Sequence, residues 1–285
     1  MVIDLLAGPF MEFAFMRRAL VAVVALALGA APLGVLLTLR RLSLVGDALS
    51  HAVLPGVALG FMFFGLSLTA LSIGGVLAGM LVVLAAALVS RHTRLAEDAS
   101  LAALYLVALA LGVMLISLHG SQIDLLHILF GNVLGVDRDA LLLVAGVASA
   151  TLLLLALMYR GLLIESFDPA FLAAGQGGRA WFQQLFLMLV VVNLVAAFQT
   201  LGTLMAVGLM MLPAISARLW HDTLAAQLLH SAGCAMLAGL AGLLLSYYAA
   251  LPSGPSIIVC AGLLYGGSLL LSPRGVLATL RRART

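Results

Sequence analysis

Lysine is absent from this 285-residue sequence, and all 14 of its basic residues are arginines. A nucleotide-binding P-loop requires its lysine, so the chain cannot hold a standard ATP-binding site. Charged residues make up only 9% of the chain, whereas an average soluble domain is about one quarter charged. Because 64% of the residues are hydrophobic, we predict a polytopic membrane protein with one integral domain, residues 1–285.

Cysteine is equally scarce, and both examples, Cys234 and Cys260, lie inside apolar runs. Buried membrane cysteines are usually packing residues, so neither a disulfide framework nor a CxxC site is indicated. The chain also lacks basic patches with interleaved aromatic residues, which are typical of nucleic-acid binding. We therefore expect membrane lipid around the protein and no nucleic-acid partner.

Apolar runs of about 20 residues, the length that crosses a bilayer, recur along the chain. They predict an all-α transmembrane bundle of nine spans, with eight spans and a re-entrant second segment as the alternative. Short separations such as 199–202 predict tight hairpins between antiparallel helices. The predicted spans are residues 18–39, 42–66, 68–90, 99–118, 138–159, 181–199, 200–219, 223–248 and 255–272.

The arginines orient this bundle. Eleven of the 14 follow odd-numbered spans, and Arg17, Arg18 and Arg138 lie on the other side. Arginine-rich loops face the cytoplasm in most membrane proteins. We therefore expect an external N-terminal segment (1–17), a cytoplasmic loop over 160–180 and a cytoplasmic tail over 273–285.

One stretch, SLVGDALSHAVLPGVALG over residues 43–60, combines an acid and a histidine inside an apolar, membrane-length run. Asp47 and His51 are four residues apart, so they share one face of a helix. Pro55 has no backbone N–H, so the helix should kink or break just past the pair. An ionisable residue in a membrane usually faces the bundle interior or a water-filled path. A carboxylate with an imidazole favours a divalent transition metal.

A structural role for these two residues is the alternative. Asp47 could cap a helix near the interface, and His51 could hydrogen-bond a carbonyl group on a neighbouring helix. Asp47 also lies only about 9 Å of helix rise from the predicted cytoplasmic arginines, whereas substrate sites are more often near the midplane.

Two segments between spans are too patterned to be simple loops. Residues 117–136 have an apolar core and place Asp124 and His127 three apart, so these two side chains either contact the substrate or anchor the loop at the interface. Residues 162–179 contain Asp168 and Pro169, which predict a helix start. The predicted helix presents two apolar residues, Phe171 and Leu172, and ends at Gly175 and Gly177. It either lies on the membrane surface or docks a separate subunit that supplies the energy.

With these segments in view, the chain resembles the ABC-3 family, the permease subunits of bacterial ABC importers for manganese, zinc and iron. The resemblance runs through nearly the whole length, from Phe15 to Pro273. Its most specific part is SLVGDALSHAVLPGVALGF. Further similar segments are DLLHILFGNVLGV, LGTLMAVGLMMLPAISARL with its Pro213, at which a helix kink is expected, and Gly254-Pro255-Ser256.

The resemblance implies that Asp47 and His51 are transmembrane metal ligands and that residues 167–177 form a coupling helix on the ATPase. It implies two cytoplasmic ATPase subunits, an extracytoplasmic metal-binding protein and a second permease, identical or related, in a bacterial inner membrane. The chain itself would catalyse no bond chemistry and hold no tightly bound cofactor. Its cargo would be a manganese, iron or zinc ion.

Two positions depart from the family pattern. Gln176 replaces a glycine expected eight residues after Asp168, and Leu106 lies near where zinc-type relatives carry a histidine, which favours manganese or iron. Three other functions are alternatives: a permease for an iron chelate or vitamin-like cofactor, a proton-driven secondary transporter, and an intramembrane metalloenzyme. The last is disfavoured because no His-Glu-x-x-His motif and no third ligand are evident.

Overall fold

The computed structural model describes residues 2–118, 135–167 and 178–278, and no β-strand occurs within these ranges. Eleven helices form the described part of the bundle. They are α1 (Val2–Glu12), α2 (Ala14–Leu39), α3 (Ser43–Ala52), α4 (Leu54–Phe64), α5 (Leu68–His92), α6 (Glu97–Leu118), α7 (Arg138–Phe167), α8 (Gly178–Leu201), α9 (Thr203–Trp220), α10 (Leu224–Ala249) and α11 (Ser253–Leu271).

Among the described residues, eight segments are long and apolar enough to cross a membrane, and Phe182–Phe198 within α8 is a shorter apolar stretch. Helices α3 and α4 together make one of the eight, Ser43–Phe64. The all-α bundle of eight or nine spans predicted from hydropathy is thereby confirmed.

Helix α7 differs from its predicted bounds. It runs on from the expected end of the span at residue 159 to Phe167, so the first residues of the segment predicted as a cytoplasmic loop are helical. No proline lies between residues 160 and 167, so nothing in this stretch removes a backbone donor from the helix. After residues 168–177, the next described helix, α8, begins at Gly178.

Helix α2 lies at the centre of the bundle, and 72% of its most apolar window is buried. It packs against α7, α9 and α10. Small residues make this possible: a Cβ atom placed on Gly34 would lie 2.0 Å from the carbonyl oxygen of Met210. Only glycine allows the α2 and α9 backbones to approach this closely.

Contacts between helices set their directions. Gly34 lies against Met210, and the Thr38 carbonyl accepts a hydrogen bond from the Arg218 guanidinium, so α2 and α9 run parallel. Gly29 lies against Asn193, and Arg40 lies over the Phe186 ring, so α8 runs antiparallel to α2. Helices α8 and α9 therefore form the tight hairpin that was predicted, closed by Gly202 at a φ of 82°.

Helices α5 and α7 also run antiparallel to α8, and α11 runs parallel to α9. Helices α2, α5, α7, α9 and α11 therefore run in one direction. Their C-terminal ends, with the loops that follow, carry most of the described arginines, so one end of the bundle is arginine-rich. At this end the Arg218 guanidinium donates to the Thr38 carbonyl at 2.9 Å, and Arg274 forms an ion pair with Asp222. The charge asymmetry read from the sequence thus corresponds to one physical end of the bundle.

Arg17, at the opposite end, has a local structural use. Its guanidinium donates to the carbonyl of Met11 at 2.9 Å, at the C-terminal end of α1. Helix C-termini have unpaired carbonyl groups and a partial negative charge, which a nearby cation stabilises. This contact fixes α1 against the start of α2 and gives a local reason for an arginine on the arginine-poor side.

Candidate metal pathway

The second membrane segment is broken beside its charged pair. Helix α3 ends at Ala52, and α4 begins at Leu54 with Pro55 in its first turn. Pro55 cannot donate a hydrogen bond to the His51 carbonyl, which interrupts the helical ladder. Val53 keeps near-helical dihedrals, with φ −80° and ψ −18°. The His51 carbonyl accepts instead from the Val53 N–H, so the interruption is a break in the i→i−4 hydrogen-bond ladder just after His51.

Asp47 and His51 lie one turn apart on α3, with His51 Nε2 3.9 Å from Asp47 Oδ1. The Asp47 side chain is 64% exposed and that of His51 is 29% exposed. The other ring nitrogen of His51, Nδ1, is buried and has no hydrogen-bond partner among the described residues. An accessible carboxylate oxygen and imidazole nitrogen on one face can serve as two ligands to the same cation.

The opposite face of α3 is packed into the bundle. Val45, Ala48 and Leu49 are buried there. Gly46 lets α3 approach α9, since an added Cβ atom would lie 2.7 Å from the Met210 Cε atom. This packing fixes the rotation of α3 about its axis and leaves the Asp47 side on the open face.

Close helix crossings surround the break. A Cβ atom on Gly56 would lie 1.9 Å from the Gly74 carbonyl oxygen, and one on Gly60 would lie 2.7 Å from the Ala70 carbonyl oxygen. On the α6 side, a Cβ atom on Gly112 would lie 3.0 Å from the Pro55 nitrogen. Helices α5 and α6 therefore hold the start of α4 in place by backbone contact. The sequence reasoning missed Gly74 and Gly112, although the Gly74-Gly75 pair was a usable signal for a close crossing.

The remaining predicted residues fall into two groups. Pro213 lies inside α9, which runs through it without interruption to Trp220. Asp124 and His127, and the predicted docking residues Asp168, Pro169, Phe171, Leu172, Gly175 and Gly177, lie outside the described residues. Within the described ranges, no three His, Cys, Asp or Glu side chains form a group that could hold a metal ion.

A helical bundle with a broken span and, among the described residues, an accessible acid–histidine pair on that span is typical of a membrane transport protein. The sequence matches the ABC 3 transport family over residues 12–272. The chain belongs to this family and is a multi-pass protein of the bacterial inner membrane.

Named relatives cover nearly the same length. The chain is 34% identical to the manganese transport system membrane protein MntC of Halalkalibacterium halodurans, over 96% of this chain and 93% of that protein. It is 34% identical to the manganese import system permease protein ScaB of Streptococcus parasanguinis, over 92% of each. The solved structure of PsaBC from Streptococcus pneumoniae in complex with Fab is 31% identical, with a TM-score of 0.85, over 99% of this chain and 100% of that chain.

Proposed function

We propose that this chain is the membrane-spanning permease subunit of an ATP-driven importer for divalent transition metal ions, with manganese as its cargo. The observation that carries the proposal is the accessible Asp47–His51 pair beside a helix break, in a chain of the ABC 3 transport family. The manganese assignment draws on the names of the relatives, because a carboxylate with an imidazole suits several divalent metals.

The exposure of Asp47 supports a pathway beside α3. A carboxylate facing lipid near the bilayer centre costs about 2.5–3.5 kcal/mol, and the Asp47 side chain is 64% exposed. The open face of α3 must therefore meet water or a second protein chain in the assembled transporter. A second permease subunit, identical or related, would supply that surface and further ligands.

The geometry of the pair suits an ion held transiently. A nitrogen and an oxygen bound to one ion at about 2.1 Å each lie roughly 3.0–3.5 Å apart, whereas His51 Nε2 and Asp47 Oδ1 are 3.9 Å apart. A small side-chain rotation brings them together. Two protein ligands leave coordination positions open, so the ion can be passed on during alternating access, and Asp124 and His127 are the next candidates for ligands.

This assignment is tested by uptake of radioactive manganese into cells. Asp47→Ala and His51→Ala should each abolish uptake while the protein stays in the membrane at its normal level. Asp98→Ala and His92→Ala are matched controls, because both residues are exposed at the arginine-rich end, and they should transport normally. Normal uptake by both Asp47→Ala and His51→Ala would remove the pair from the mechanism.

Energy has to enter from another polypeptide, since this chain has no lysine for a P-loop. We assign docking of the ATPase to the segment from Asp168 to Gly177, with two ATPase copies per transporter and a metal-binding protein on the outer side. This segment joins the end of α7 to the start of α8, and the contact of Gly161 with Phe182 lies near the arginine-rich end. That position is the cytoplasmic side by the arginine rule.

Phe171→Asp should release the ATPase from the purified complex and stop uptake, because a buried aromatic anchor often contributes about 2 kcal/mol or more. Metal binding at Asp47 and His51 should survive. His92→Asp places the same charge at the same end, outside the segment, and should keep the ATPase bound. Co-purification at the wild-type ratio with continued transport in Phe171→Asp would place the docking site elsewhere.

A further inference from the structure

A second pair of histidines meets at the arginine-rich end, where α9 turns into α10. His221 directly follows α9, and His230 lies two turns into α10. His221 Nε2 and His230 Nδ1 are 3.1 Å apart, and the ring centroids are 5.0 Å apart. Neither residue was singled out by the sequence, because they are nine positions apart and only the α9–α10 turn brings them together.

The backbone of His221 and the ring of His230 are held in place by their neighbours. The His221 carbonyl accepts hydrogen bonds from Gln227 Nε2 at 2.8 Å and from the Arg274 guanidinium at 3.3 Å. The His230 ring stacks on Trp220, with 6.3 Å between centroids and an interplanar angle of 24°. The turn that carries His221 is thus braced independently of the contact between the two rings.

The separation of the two nitrogens is close to that of a chelate. Two imidazole nitrogens bound to one tetrahedral ion at 2.0–2.1 Å lie about 3.3 Å apart. Without an ion, one ring donates its N–H to the lone pair of the other. A change of tautomer on the donating ring frees both lone pairs, and a rotation of the two rings that makes these lone pairs converge lets an ion replace the shared proton.

We propose that His221 and His230 form a chelating site for Zn²⁺ and similar imidazole-preferring ions at the arginine-rich end of the bundle. Imidazole pairs suit zinc, copper and nickel, whereas manganese favours oxygen ligands. The neighbouring acid, Asp222, is paired with Arg274, so the two histidines are the protein ligands and water completes the coordination. The site lies on other helices than Asp47 and His51 and does not depend on the proposed transport function.

The experiment is a zinc titration of the purified full-length chain against a chromogenic chelator. His221→Gln and His230→Gln should each lose one bound ion per chain, or weaken its binding at least about tenfold, the loss that removal of an outer-shell partner already causes. The double variant should lose no more than either single one, because both side chains bind the same ion.

His92→Gln is the matched control, since His92 is exposed at the same end and its Nδ1 contacts its own helix at the Leu88 carbonyl. It should bind as many zinc ions as the wild type. His221→Gln lies outside the helices and should fold normally, as a melting curve will show. Unchanged stoichiometry together with unchanged zinc affinity in His221→Gln, or a loss of two ions in the double variant, would overturn the shared site.

Discussion

Pro55 and Pro213 lie in two different membrane segments, and the helices around them respond differently. The segment Ser43–Phe64 is interrupted at Val53, next to Pro55. Helix α9 continues through Pro213 for seven residues, to Trp220. Proline weakens both ladders equally, so the difference has to come from the surroundings.

Packing explains the difference. Around Pro213, both Met210 and Ala214 are fully buried, and the Met210 carbonyl lies against Gly34 of the central helix. Neighbouring helices therefore keep α9 continuous through Pro213. Beside Pro55, the α3 face that carries Asp47 is open, and close backbone contacts with α5 and α6 fix α4 separately from α3. The broken segment is also the one that presents an acid and a histidine.

The largest expected effect comes from matched glycines in the two segments. Gly56→Ala would place a methyl group 1.9 Å from the Gly74 carbonyl oxygen, which cannot move without separating α4 from α5. Gly208→Ala on α9 meets the Cδ1 end of Ile258 at 2.4 Å, and that side chain can rotate. We expect a loss of about 3 kcal/mol or more for Gly56→Ala and under about 1 kcal/mol for Gly208→Ala. Thermal unfolding of the purified variants measures both, and equal losses would contradict the backbone-contact argument.

Replacing each proline tests the comparison directly. Pro213→Ala restores a hydrogen bond in an already continuous helix and should stabilise the protein by up to about 3 kcal/mol, with uptake unchanged. Pro55→Ala lets the helix run on past His51, so uptake should fall while the protein remains folded. Manganese uptake and melting temperature separate the two outcomes. Equal uptake by the two variants would show that the break has no part in transport.

A smaller effect is expected from a change of pH. Of the two segments compared, only Ser43–Phe64 contains a histidine one helical turn from an acid. Imidazole binds a metal ion in its neutral form, so acid should weaken metal binding. Where one proton competes with one ion, the metal affinity should fall by up to about tenfold for each unit by which the pH is lowered. Metal affinity measured from neutral to mildly acidic pH, in the His221→Gln/His230→Gln chain, checks this. Affinity that stays constant would mean that His51 is not a ligand.

The smallest effect concerns hydroxyl groups. Ser216 on α9 shares a buried 2.6 Å hydrogen bond with Ser268 on α11, whereas Ser50 Oγ donates to the Asp47 carbonyl within α3. Hydrogen bonds between membrane helices contribute about 0.6 kcal/mol on average. Ser216→Ala should therefore lower stability by about that amount and Ser50→Ala by less. Unfolding in a denaturing detergent resolves the two, and the reverse order would mean that neighbours do not support α9 as argued.

Much of the architecture was predictable because hydropathy and arginine asymmetry are local properties of the chain. The spans, the hairpin at Gly202 and the placement of Asp47 and His51 one turn apart all followed from them. The end of α7 did not follow from hydropathy, since nothing in residues 160–167 distinguishes a helix that extends past the apolar run from a loop. The acid–histidine pair was visible because an acid and a histidine are rare in an apolar run.

By itself, the sequence determined an all-helical membrane protein with one arginine-rich end, no P-loop lysine and an acid–histidine pair inside an apolar run, because burial in lipid requires such long apolar segments and makes their charges conspicuous. The tertiary structure alone decided which proline breaks its helix, which face of α3 stays open and which glycines allow backbone contact. It also brought His221 to His230. These outcomes depend on which neighbouring helix fills the space around each residue, and that information lies in contacts between distant parts of the chain.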